Sequence, residues 1–217
     1  MAESNVDLIV REHFFKNADK GIFLEVGAAH PDWLSVSASF RAAGWRIIPI
    51  EPNPEFCRLH RQRGYEILEY ACGDHDQDDV SFTVVDTSGV IYDGAPITYE
   101  SYSSLGMRGD YLKQFHRDAP VGNYKIMPIS VKMRRLDGIL AAHAADVTQI
   151  DIVSVDVEGW ELEVMKGLDM DRFKPKVLVI ENLFNASEYR EFFAERGYQL
   201  WNCLAPNDIY VRTDAAL

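Results

Sequence analysis

The stretch Ile22-Phe-Leu-Glu-Val-Gly27 decides the fold. Its near-continuous apolar run, lacking the in-out alternation of a half-exposed strand, is the pattern of a strand buried on both faces, and the glycine after it permits a tight turn. Upstream, Val6, Leu8, Ile9 and Phe14 with charges between them predict a leading helix. Downstream, helices are expected over 33–43 and 54–63, closed by Gly44 and Gly64, with strands over 46–50 and 65–70. A glycine just past the last periodic residue takes the left-handed conformation that ends a helix. Strands alternating with helices long enough to cross over predict an α/β fold, a doubly wound, mostly parallel sheet with helices on both faces.

The rhythm breaks between 79 and 133, where strands over 80–85 and 124–131 and a short helix over 111–116 are expected. This reads as an insertion within a single domain spanning 1–217, placed either to cover a site at the sheet edge or as surface irregularity. The alternation resumes with helices over 136–145, 159–166 and 186–196 and strands over 150–155, 177–180, 198–201 and 209–211. Residues 89–105 hold apolar and aromatic side chains that would serve a homo-oligomer interface or lid packing equally well. Tyr99, Tyr102 and Tyr111 are read as packing the insertion in preference to shaping an acceptor pocket.

The net charge of −12 repels phosphate backbones and argues against nucleic acid as a partner. No apolar run approaches the length of a membrane span, and charged residues stand where a signal peptide needs an apolar stretch, so no membrane partner is expected. Three cysteines, Cys57, Cys72 and Cys203, without a closely spaced pair, support neither a disulfide framework nor a structural zinc site and fit a cytoplasmic location.

Ligands of open α/β sheets bind beyond the carboxyl ends of the strands. Here those ends read Glu25-Val-Gly27-Ala-Ala-His30, Glu51-Pro-Asn53, Ala71-Cys-Gly-Asp74, Asp156-Val-Glu158-Gly159 and Glu181-Asn182. Carboxylates at such positions can accept from ribose hydroxyls, hold a cation or meet an amine. After Gly27 no glycine recurs before Gly44, so the repeated glycines that let backbone approach a dinucleotide's pyrophosphate are missing. S-adenosyl-L-methionine has no pyrophosphate, and its cationic sulfonium and amino group suit an acidic rim. Glu51 stands about 24 residues past Gly27, near the roughly 20-residue offset of a ribose-binding acid.

Leu24-Glu-Val-Gly-Ala-Ala-His-Pro31, Ile50-Glu-Pro-Asn-Pro54, Ser103-Ser-Leu105 and above all Asp151-Ile-Val-Ser-Val-Asp-Val-Glu-Gly-Trp-Glu161 resemble the FkbM-type family of S-adenosylmethionine-dependent methyltransferases. The resemblance runs in order over most of the chain. It implies a class I, Rossmann-like methyltransferase fold and methyl transfer, usually to an oxygen of a small molecule or sugar. It further implies that Glu25 and Gly27 line the methionine end of the cofactor, that Glu51, with Asn53 beside it, receives the ribose, and that Cys72, Gly73 and Asp74 edge the adenine. Ser154, where members commonly carry lysine, and His30-Pro31 in the first turn depart from the family pattern.

Asp156 and the pair Glu181-Asn182 are also similar in order to the ligands of metal-dependent O-methyltransferases of the catechol type. Three such oxygens would suit Mg²⁺, which orients and acidifies a substrate hydroxyl. Alternatively Asp156 and Glu158 hold or deprotonate the acceptor directly, or simply cap the helix that follows, with Asn182 a turn residue. His30, beside the cofactor turn, is the best base among the histidines, although a surface or capping role is the commoner one. Two rival readings stay open: a nicotinamide-dependent oxidoreductase or epimerase, and a non-catalytic binding module on the same fold.

Overall fold

The computed structural model describes residues 2–87, 91–92, 95–96, 100–119 and 124–215. Much of 89–105, including Gly89 and Tyr99, lies outside the described residues, so the interface expected there is not addressed. The helices are α1 (Val6–Phe14), α2 (Ala38–Ala42), α3 (Pro54–Gln62), α4 (Gly109–Asp118), α5 (Leu136–His143), α6 (Glu161–Lys166), α7 (Met170–Phe173) and α8 (Ser187–Ala194). The strands are β1 (Ile22–Val26), β2 (Arg46–Ile50), β3 (Ala71–Cys72), β4 (Gln77–Asp86), β5 (Ile91–Tyr92), β6 (Ala95–Pro96), β7 (Lys125–Arg134), β8 (Ile152–Val155), β9 (Val177–Glu181), β10 (Tyr198–Leu204) and β11 (Asn207–Arg212). Among the described residues no helix is long and apolar enough to cross a membrane.

The main sheet runs β10-β11-β9-β8-β1-β2. Strands β2, β1, β8 and β9 are parallel, and β11 is antiparallel to both β9 and β10. Side chains alternate across the sheet, and both faces are apolar. Leu24, Val26, Val153, Val155, Leu178 and Ile180 join one buried cluster with residues of α5, α6 and α8. Phe23, Ile152, Val177, Val179 and Ile209 join another with Val6 and Val10 of α1 and Phe40 of α2. In that second cluster the Phe40 ring sits 5.1 Å from Phe23 and 4.9 Å from Trp45.

Two expected elements shrink for local reasons. The helix over 33–43 is reduced to α2, because Ser35 and Ser37 turn inward to the buried Glu25 carboxylate and Leu34 adopts a φ of 58°. Competition from side-chain hydrogen bonds displaces helix there. The strand over 65–70 survives as one parallel bridge between Leu68 and Ile50. Beyond it the chain leaves the main sheet, and β3 pairs with β7 in a second sheet ordered β3-β7-β4. Strands β4 and β7 form a long antiparallel ribbon, with an irregularity between Gln77 and Val80.

Phe40 is fully buried, whereas Leu8 on α1 is exposed. Phe40→Ala is expected to cost about 3–5 kcal/mol and Leu8→Ala less than about 0.5 kcal/mol, both read from urea unfolding midpoints. Equal effects would mean that the aromatic cluster does not hold α2 to the sheet.

Candidate functional site

The winding of the main sheet reverses at β1, which lies between β2 and β8, and a crevice opens beyond the carboxyl ends of strands at such a point. Two adjoining cavities occupy it. A narrow slot of about 80 Å³ is bordered by Glu51, Cys72, Phe82 and Trp160, and a chamber of about 750 Å³ by His30, Asp156, Glu158 and Glu181. Gly27, Ala29 and Asp156 line both.

Gly27 has φ +78°, and a Cβ there would lie 1.8 Å from the Asp156 carbonyl oxygen. The glycine is therefore required by the turn after β8, whatever ligand approaches it. Glu25 lines the chamber, yet its carboxylate accepts from the Ser37 amide at 3.0 Å and the Ser37 hydroxyl at 2.6 Å. Much of its accepting capacity is spent holding the 35–37 loop. Glu51 ends β2 with each oxygen tied to backbone: Oε1 accepts from Asn53 N at 2.8 Å and Oε2 from Ala29 N at 2.9 Å. Asn53 caps α3 by accepting from Glu55 N at 3.1 Å, and it does not line either cavity.

Cys72 borders the slot, but Gly73 and Asp74 do not. Gly73 packs where a Cβ would meet Met133 Sδ at 2.7 Å, and the exposed Asp74 hydrogen-bonds His75 at 2.6 Å. The slot's other walls, Phe82, Ser103, Leu105 and Trp160, were given no role by the sequence reading. Their signal was the Ser103-Ser-Leu105 stretch, which pattern alone cannot connect to a strand end far away in the chain.

Asp156, Glu158 and Glu181 converge, each with one oxygen within 4.8 Å of the others. The Asn182 amide donates to Asp208 at 2.8 Å and to the Ala186 carbonyl, while its oxygen accepts from Ala186 N. Glu158 thus converges with the expected Asp156 and Glu181, while the Asn182 amide is engaged in the turn after β9. Glu161, overlooked as a site residue, builds this turn. Its Oε1 accepts from Val157 N and Gly159 N, both at 3.0 Å, and its Oε2 from Tyr189 at 2.6 Å. These bonds account for α6 starting at Glu161 instead of Gly159, and they position Glu158 at φ +59°.

His30 lines the chamber mouth, and its Nδ1 accepts from Asp32 N and Trp33 N at 3.1 Å each. In the neutral ring the proton then sits on Nε2. The segment before β7 docks onto the same turn. Tyr111 donates to Glu181 Oε2 at 3.1 Å, and its ring lies 2.8 Å from where a Gly159 Cβ would be. Arg108 lies over Trp160 at 3.6 Å and donates to the Gly159 carbonyl, and Trp160 Nε1 donates to the Gly106 carbonyl at 3.0 Å.

Burial raises these carboxyls. Glu51 is pushed up to about 7 by desolvation, against the lowering effect of its two amide donors. Asp156 keeps accessible surface, but that surface opens on the chamber, and desolvation followed by the nearby Glu161 charge lifts it to about 7. Glu158 and Glu181 rise well above the ordinary range, by desolvation first and then by the Asp156 charge. Between the ordinary glutamate value of 4.5 and about 7, Glu51 keeps its proton when folded and loses it when unfolded. Stability contributed in this way is fully present below 4.5 and is lost as pH rises through about 7. The urea midpoint of the metal-free protein should accordingly fall between about pH 5 and about pH 8, and Glu51→Gln should flatten that slope; an unchanged slope would place Glu51 in contact with water.

No curated protein matches the sequence. A family model described as "Methyltransferase FkbM domain" matches residues 25–200, spanning Glu25, Glu51, the converging carboxylates and all the parallel strands except the first three residues of β1. On that match the chain belongs to the FkbM methyltransferase family.

Proposed function

We propose that the protein is an S-adenosyl-L-methionine-dependent methyltransferase acting on a hydroxyl of a small molecule or sugar. One observation carries the reading: a narrow slot edged by Glu51 opens into a large acidic chamber at the point where the strand order reverses. The order of the main sheet, its apolar clusters on both faces and the residual Leu68 bridge support a doubly wound, class I arrangement. The domain is taken as one unit over 1–217, with 79–133 covering the acceptor, a role supported by the docking of Tyr111 and Arg108 on the Gly159 turn. Three unpaired cysteines support a cytoplasmic setting.

The donor residues fit. Glu51 is held rigid by two amides, and each carboxylate oxygen retains a lone pair for a ribose hydroxyl. Phe82, Cys72 and Trp160 give the slot apolar walls for a flat base, and Gly27 and Glu25 border the route into the chamber. Bound there, S-adenosyl-L-methionine would supply an electrophilic sulfonium methyl to the acceptor oxygen and leave as the neutral thioether. In the chamber Asp156 and Glu158 accept the acceptor's hydroxyl hydrogen bond and its proton, and His30 Nε2 donates to a neighbouring oxygen. Against a nicotinamide cofactor stands Ala29 N, which is already occupied by Glu51 and unavailable to a phosphate.

Calorimetry should show S-adenosyl-L-methionine binding to the wild-type chain and at least about tenfold weaker binding to Glu51→Ala, a loss of roughly 1.4 kcal/mol or more. Asp156→Asn should keep most of that affinity while losing methyl transfer to a hydroxyl acceptor. Binding of NAD without binding of the methyl donor would overturn the assignment.

A further inference from the structure

The chamber's lining brings together eight carboxylate side chains and, among the described residues, no lysine or arginine. Several of those acids are accounted for nearby: Glu55 pairs with Arg58, Glu100 accepts from Thr87, and Asp118 accepts from Tyr102. The three converging acids are only partly matched. They come from the ends of β8 and β9, adjacent parallel strands whose register brings Val155 beside Ile180. Glu181 receives one hydroxyl hydrogen bond from Tyr111. Glu158 is only 7% exposed, and its Oε2 is fully buried with no hydrogen-bond partner.

A buried carboxylate oxygen that no donor reaches is costly, and the Asp156 and Glu181 carboxylates beside the one on Glu158 add like charge to it. Positive charge entering from outside the chain would compensate that cost. The neighbouring Glu161 cannot relieve the cluster, since its oxygens are committed to Val157, Gly159 and Tyr189.

We propose that Asp156, Glu158 and Glu181 form a binding site for one divalent cation of the hard, oxygen-preferring class, represented by Mg²⁺, Mn²⁺ and Ca²⁺. All three ligand groups are carboxylates, without thiolate or imidazole, which is the donor set of such ions and not of zinc or copper. Three protein oxygens leave coordination positions free, and the chamber of about 750 Å³ has room for the waters or substrate oxygens that would fill them. The site stands on geometry and charge. Its use in holding an acceptor hydroxyl rests on the methyl-transfer reading above.

Mn²⁺ titrated into the EDTA-stripped, full-length protein, with free ion followed by electron paramagnetic resonance, should show one ion bound per chain with a Kd below about 1 mM. Mg²⁺ and Ca²⁺ should displace it. Glu158→Gln and Glu181→Gln, checked for folding by circular dichroism, should each weaken Mn²⁺ binding at least about tenfold, while Glu100→Gln at the chamber's edge should leave it unchanged. Absence of uptake at millimolar Mn²⁺, or uptake that both glutamine variants retain, overturns the site. Methyl-donor affinity measured in EDTA separates the two proposals: donor binding without Mn²⁺ uptake removes only the cation site, and Mn²⁺ uptake without donor binding removes only the donor assignment.

Discussion

The turn after β1 and the turn after β8 approach so closely that only a glycine fits between them. The Asp156 carbonyl occupies the space a Gly27 side chain would need, and the positive φ of Gly27 allows the chain to leave β1 without collision. This contact sets the distance between the Glu25–Ala29 segment and the Asp156–Glu161 segment. Both cavities are bounded by that pair of turns, so the volume available to a ligand is decided by backbone packing before any side chain takes part.

A second constraint is electrostatic. Acidic groups at strand ends would ordinarily be hydrated, and here several are enclosed. The chain compensates some of them internally: Ser37 serves Glu25, two amides serve Glu51, and two amides and a tyrosine serve Glu161. Those carboxylates are architectural as well as available to ligands, since they fasten loops to the sheet. Glu158 differs in that one of its oxygens is buried without a partner, close to Asp156 and Glu181. Stability is given up at this point, as is common where a protein keeps groups ready for chemistry.

The β4–β7 ribbon and α4 complete the site from outside the main sheet. Tyr111 joins the two layers because one side chain satisfies two demands: its ring fills the space over Gly159 and its hydroxyl reaches Glu181. Arg108 and Trp160 reinforce the joint by stacking and by hydrogen bonds to backbone carbonyls. The chamber is walled by residues from both layers.

Much of this was legible in the residues. Continuous apolar runs marked β1, β2, β8 and β9, because a strand covered on both faces has no polar alternate positions. Gly44 and Gly64 marked helix ends and both have positive φ. The carboxylates recurring after the strands lie along the rim where both cavities open. The residues could not disclose how the turns bend once neighbours compete for their hydrogen bonds. Burial of Glu25 drew Ser35 and Ser37 away from the expected helix, and the departure of the chain toward β7 left Leu68 as a lone bridge. Asn182 turned to its own loop and Glu158 toward Asp156 and Glu181 for the same reason: local pattern specifies which polar groups stand at a strand end, while the direction each one faces follows from the partners that tertiary packing brings to it.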